Sequence, residues 1–129
     1  MMADVSSPGK IGWITGWGRL FSGGPFPPIL KEIDLPILSN AECESEFLRS
    51  GHWEQIPDHF LCAGYSDGRK DTCEGDSGGP LVVEQDGRAG YQLAGILSWG
   101  IGCSEPHQPG VYTRVSRFLP WIRSVIREE

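Results

Sequence analysis

Glycine and proline interrupt this chain so often that it cannot be built from a few long helices. Its 129 residues include 18 glycines and 10 prolines. That density of turn formers between short apolar stretches specifies an all-β chain of short strands and loops. The length suits one domain large enough to bury a core. Ile33, Leu35 and Ile37 alternate with Glu32, Asp34 and Pro36, the period of a half-buried strand, with Pro36 suited to an edge or bulge. Phe60–Ala63, Leu81–Val83, Tyr91–Ser98 and Val111–Val115 read as further strands, and Asp86-Gly87 is a hairpin-type turn signal between two of them. Leu20–Pro28 reads as a loop.

Two stretches break the β pattern. Ser39-x-x-Glu42 has the form of a capping box and opens a short helix through about Leu48. Near the end, Phe118, Trp121, Ile122, Val125 and Ile126 share one helical face, with Ser116 as N-cap and Pro120 in the first turn. Trp17 and Trp121 are expected in packing roles.

The net charge is −6 with no block of like charge, which argues against a nucleic-acid partner. No apolar run is long enough to span a membrane, and the opening residues do not read as a signal peptide. Cys43, Cys62, Cys73 and Cys103 form an even set without C-x-x-C spacing, and His52, His59 and His107 make no ligand pattern with them. A disulfide framework in an oxidising compartment is expected, with no metal and no cofactor. Three connectivities remain open on sequence alone.

The chemistry is concentrated in Asp71-Thr72-Cys73-Glu74-Gly75-Asp76-Ser77-Gly78-Gly79-Pro80. A serine hydroxyl attacks a carbonyl only when a base takes its proton and donors receive the oxyanion. Glycines around such a serine let backbone N–H groups converge on one point and let substrate approach. A Gly/Ser run alone can also be a flexible loop. Gly75-x-Ser77-x-Gly79 further fits the nucleophile elbow of α/β-hydrolases, with the chain order Ser77, Asp86, His107, but that elbow must run into a helix. Here it runs into the strand-like Leu81-Val82-Val83.

The ten-residue run resembles the nucleophile segment of the chymotrypsin/trypsin family of serine proteases. The resemblance extends from Gly9-Lys10 through Thr15–Leu20, Ile56-Pro57, Phe60–Tyr65, Ser98–Cys103 and Pro109–Val115. Within the family the wording is closest to arthropod Stubble-like, trypsin-type proteases. The resemblance implies the C-terminal six-stranded antiparallel β-barrel of the trypsin-like double-barrel fold, with a short intermediate helix and a C-terminal helix. Residues 1–129 would then be a partial peptidase domain whose first barrel lies elsewhere.

Carried over residue by residue, Ser77 is the acylated nucleophile, and the N–H groups of Gly75 and Ser77 form the oxyanion hole. Asp71 lies at the base of the primary specificity pocket, where an unpaired carboxylate favours arginine or lysine. Thr72 adds a hydroxyl near the floor, and Gly100 and Gly110 are small wall residues. Ser98-Trp99-Gly100 is the edge that pairs with substrate backbone. Asp76 is the activation switch that receives a new N-terminal amine. The resemblance also implies the pairings Cys43–Cys62 and Cys73–Cys103. A third bridge found in many relatives would join positions 12 and 83, which here are Gly12 and Val83. Pro109 is the residue type of relatives without a sodium site, and the family's calcium loop belongs to the other barrel.

The family's catalytic histidine and aspartate precede everything in this chain. None of His52, His59 or His107 lies in an Ala-Ala-His-Cys-like context, and each reads as a surface or strand histidine. The expected function is serine-type endopeptidase action after Arg or Lys, outside the cell, with the chain inactive alone. Expected partners are protein or peptide substrates, the missing barrel and protein protease inhibitors. A non-catalytic pseudoprotease module for protein binding is the alternative, disfavoured by joint retention of Asp71, Gly75, Asp76 and Ser77.

Overall fold

The computed structural model describes residues 6–18, 24–67, 78–85, 89–99 and 106–126. In chain order the elements are β1 (Ile11–Gly16), β2 (Lys31–Leu38), α1 (Asn40–Arg49), β3 (Phe60–Ala63), β4 (Pro80–Glu84), β5 (Tyr91–Trp99) and β6 (Gly110–Arg114). A 3-10 turn (Val115–Phe118) then leads into α2 (Leu119–Ile126). The six strands form a closed antiparallel barrel in the order β1-β2-β3-β6-β5-β4, with β4 returning to β1. Closure gives every strand of the ring a hydrogen-bonded neighbour on both sides.

Side-chain alternation decides what fills the barrel. Ile14, Leu35, Ile37, Leu61, Ala63, Leu81, Val83, Ala94, Leu97 and Tyr112 make up its buried core. A second cluster lies outside the β3–β6 pair, where Cys62 and Val111 meet Cys43 and Phe47 of α1 together with Ile56. The Cys43–Cys62 disulfide fixes α1 to β3 across a sequence separation of 19, a closure worth about 3 kcal/mol in the loop-entropy model. Cys73 and Cys103 lie outside the described residues.

The capping box is complete. Ser39 Oγ accepts from Glu42 N–H at 3.0 Å, and Glu42 Oε1 accepts from Ser39 N–H at 2.9 Å. The helix ends where Gly51 takes φ +89°, a backbone state natural to glycine. Pro36 sits inside β2 rather than at an edge or bulge. Its carbonyl accepts from Gly64 N–H at 3.0 Å, one position beyond the two residue pairs that β2 shares with β3. Its missing N–H therefore faces the side on which the ladder has ended.

The C-terminal region differs from expectation in its cap and in its environment. Helical geometry begins at Val115, so Ser116 lies within the 3-10 turn rather than capping a helix. Phe118, Trp121, Val125 and Ile126 are exposed, with Trp121 at 65%. The apolar stripe of α2 is thus left uncovered by the described residues. Trp17 is likewise 55% exposed rather than packed.

One polar knot ties four separate segments. Arg114, at the end of β6, donates from Nε to Asp58 O (2.9 Å), from Nη1 to Ser6 Oγ (2.8 Å), and from Nη2 to Asn40 Oδ1 (2.8 Å) and Phe60 O (3.0 Å). The Asn40 amide donates in turn to the carbonyls of Ile56, Pro57 and Phe60 at 3.0–3.1 Å. Asp58 also pairs through its carboxylate with Arg117.

Positions 12 and 83, where many relatives carry a third bridge, are direct partners in the β1–β4 ladder. A Cβ on Gly12 would lie 2.6 Å from Leu81 Cδ1, so Leu81 occupies the space a side chain there would need. Gly95 has less give around it: a Cβ there would meet Tyr112 Cβ at 2.9 Å and Thr113 O at 3.4 Å.

These contacts dictate two stability outcomes. Arg114→Ala should lower stability by about 3 kcal/mol, because it removes a charged donor set and strands its acceptors. Arg114→Lys should recover little of that, since an ammonium cannot reproduce the planar fork. Urea denaturation of the three proteins measures both; full recovery by lysine would contradict the fork. Gly95→Ala should cost about 1–3 kcal/mol and should exceed Gly12→Ala. The Tyr112 Cβ is a stem atom that moves only with backbone, whereas the Leu81 tip can change rotamer. Equal midpoints for the two alanine variants would contradict this ranking.

Candidate active site

The described part of the site is organised by β5, which carries two bulges. Against β4, Gly95 pairs with Leu81 and Leu93 with Val82, leaving Ala94 as the extra residue. Against β6, Leu97 pairs with Tyr112 and Trp99 with Val111, leaving Ser98 as the extra residue. A bulge bends its strand and re-aims the side chains around it. Ser98 is exposed at this point, and Trp99 turns its ring onto Phe47 of α1, stacked with centroids 5.9 Å apart.

The residues directly after Ser77 are held against the same place. Gly78 N–H donates to Leu97 O at 2.9 Å, and Leu97 N–H donates to Gly79 O at 2.9 Å. Gly78 has φ +84°, a conformation that side-chain-bearing residues rarely adopt. From this turn the chain enters β4 rather than a helix. An α/β-hydrolase elbow requires the helix, so that reading is excluded.

Gly110 begins β6 and pairs with Ala63 at the end of β3. The backbone just beyond comes very close: a Cβ on Gly64 would lie 3.2 Å from both Cα and Cβ of Pro109. The exit of β3 and the start of β6 are therefore pressed together beside the Trp99–Val111 pair. Ser98, Trp99 and Gly110 thus share one end of the β5–β6 pair. Asp71, Thr72, Gly75, Asp76, Ser77 and Gly100 lie outside the described residues.

One constellation was not anticipated. Glu46 Oε1 lies 2.8 Å from His107 Nδ1 and accepts from Ser66 Oγ at 2.9 Å, while Ser66 Oγ lies 3.2 Å from the same Nδ1. The three residue types are those of a hydrolytic triad, but the geometry is not. In a triad the acid holds one ring nitrogen and the serine meets the other. Here acid and hydroxyl both meet Nδ1, and the serine proton goes to the carboxylate. His107 is half-buried and has φ +61°, unusual for a residue other than glycine. His59 is exposed and its ring lies against Phe60, with centroids 4.4 Å apart. Among the described residues, no group of His, Cys, Asp and Glu could hold a metal ion.

The comparisons with known proteins agree with this architecture. The family model described as Trypsin matches residues 2–122. The chain is 57% identical over 115 residues to serine proteinase stubble of Drosophila melanogaster, covering 88% of this chain and 14% of that protein. It is 51% identical over 127 residues to serine protease filzig of Drosophila melanogaster, covering 97% of this chain and 7% of the relative. With anionic trypsin of Canis lupus familiaris it shares 43% identity over 122 residues, 94% of this chain and 45% of the relative. The chain therefore spans less than half the length of each of these three relatives. The closed six-stranded barrel, the helix at each expected place and the match over nearly the whole chain establish that this protein belongs to the trypsin family of serine proteases.

Proposed function

We propose that these residues are the C-terminal half of an extracellular serine-type endopeptidase domain that cleaves after arginine or lysine. The observation that carries this reading is the double hydrogen bond between Gly78-Gly79 and Leu97. It anchors the chain immediately after Ser77 next to the exposed Ser98 bulge, the segment proposed to pair with substrate backbone. A nucleophile and a strand that aligns the scissile peptide must be neighbours for acyl transfer.

In this reading Ser77 Oγ attacks the carbonyl carbon of the basic residue, its proton passing through the external base to the leaving amine as the peptide C–N bond breaks. An acyl-enzyme results, and the N–H groups of Gly75 and Ser77 receive the oxyanion on the way. Water then releases the acyl group. Asp71 supplies the negative charge that a substrate arginine or lysine neutralises. Thr72, Gly100 and Gly110 shape the pocket around that side chain. Asp76 holds the amine generated by activating cleavage, and a Cys73–Cys103 bridge braces the segment.

The base that takes the serine proton is proposed to come from the companion barrel, together with the aspartate that orients it. His107 is committed to Glu46 and Ser66, and His59 rests on Phe60. The exposed stripe of Phe118, Trp121, Val125 and Ile126 fits burial against the rest of a larger protein. Peptide substrates and protein inhibitors are the proposed partners.

Two outcomes test this. A peptide library cleaved by the activated parent protease should show Arg or Lys before the scissile bond, and Asp71→Ser should abolish that preference; a preference for aromatic residues would refute the pocket assignment. The 129-residue chain by itself should not be labelled at Ser77 by a fluorophosphonate. Stoichiometric labelling at a rate typical of an active protease would show that no external base is needed.

A further inference from the structure

The Glu46–Ser66–His107 cluster joins three separate elements and takes no part in the chemistry assigned to Ser77. Glu46 belongs to α1, Ser66 to the segment leaving β3, and His107 to the segment approaching β6. The Glu46 side chain is 15% exposed and that of His107 34%. One carboxylate oxygen takes both His107 Nδ1 (2.8 Å) and the Ser66 hydroxyl (2.9 Å), and the other faces Arg49 Nη1 at 3.4 Å. A backbone hydrogen bond, His107 N–H to Ser66 O at 2.9 Å, closes the cluster. These contacts hold His107 at φ +61°, and a strained backbone persists only where its surroundings over-determine it.

The position of the cluster gives it consequence. Ser66 is five residues before Asp71, and His107 is three residues before Gly110. Both segments leave the barrel at the place where Gly64 and Pro109 are in tight contact. We propose that Glu46 and His107 are positioning residues for the primary specificity pocket: they clamp its two flanking segments to each other and to α1, and so set the affinity for a basic side chain. This rests on the reading that Asp71 and Gly110 flank that pocket. The contact survives either state of the imidazole. Neutral His107 donates through Nδ1–H, and the protonated ring forms a charge-assisted bond to the same oxygen.

The activated parent protease serves for the test, with a peptide substrate ending in arginine and with benzamidine as a probe of the pocket alone. Glu46→Ala should raise KM and the benzamidine inhibition constant about tenfold, the loss expected for one half-buried charged hydrogen-bond acceptor. The kcat value should stay within about twofold, because a positioning residue of this kind acts on binding that ground state and transition state share. Glu46→Gln keeps an acceptor for both donors and should restore affinity to within about threefold. Ser66→Ala leaves the His107–Glu46 bond intact and provides a milder variant should Glu46→Ala fail to fold; it should weaken benzamidine binding by about threefold. Benzamidine affinity indifferent to Ser66→Ala, with Glu46→Ala indifferent or unfolded, overturns the assignment. So does a fall in kcat with no change in KM. A parent enzyme that binds no benzamidine before any substitution overturns the pocket reading, and this assignment with it.

Discussion

The arrangement of this barrel depends on the Arg114 guanidinium. A planar group with five donors can satisfy several acceptors at once, and here they come from four places in the chain: Ser6, Asn40, Asp58 and Phe60. Hydrophobic burial is not directional, so it drives the strands together without choosing how the loops cross them. The guanidinium makes that choice. It fixes the end of β6 relative to the start of α1, and Asn40 passes the constraint to the 56–60 segment through three carbonyls.

The same anchoring sets the attitude of α1. The helix is held at its first residue by Asn40, at Cys43 by the disulfide and through Glu44 Oε2, which accepts from Ile56 N–H at 2.8 Å. Two of its residues then reach two sides of the candidate site. Phe47 supports the Trp99 ring, and Glu46 receives His107 and Ser66. A ten-residue helix distant in sequence from Ser77 thus backs both the strand proposed to pair with substrate and the segments proposed to flank the pocket.

The parts that were legible in the sequence are those whose causes are local. Leu35 and Ile37 alternate because a strand has period two, and Ser39 with Glu42 closes a box whose two bonds span three residues. Where the cause lies elsewhere in the chain, reading failed. Ser116 looks like a cap, yet the turn has already begun at Val115, directly after the anchored Arg114. Trp121 looks like core, yet the described residues leave it 65% exposed. Glu46 and His107 are 61 positions apart, and with Ser66 they carry no shared spacing, so nothing local joins them. For the candidate site, Ser98, Trp99 and Gly110 are proposed from family resemblance, and the structure sets them at one end of the β5–β6 pair. The Ser98 bulge that sets two of them apart had no sequence signal of its own.

The two bulges of β5 also bear on how the chain finds its register. Strands with one buried face resist slipping by one residue, because every side chain would change sides. Slipping by two preserves the sides and is the more dangerous error. In β5 the irregularities face different neighbours, Ala94 against β4 and Ser98 against β6. A two-residue slip along either neighbour would carry regular pairs onto a bulge and the bulge onto regular pairs. The strand is therefore notched on both sides, like a key with two independent cuts, and only one alignment seats both. The bulge at Ser98 also guards the barrel against misassembly.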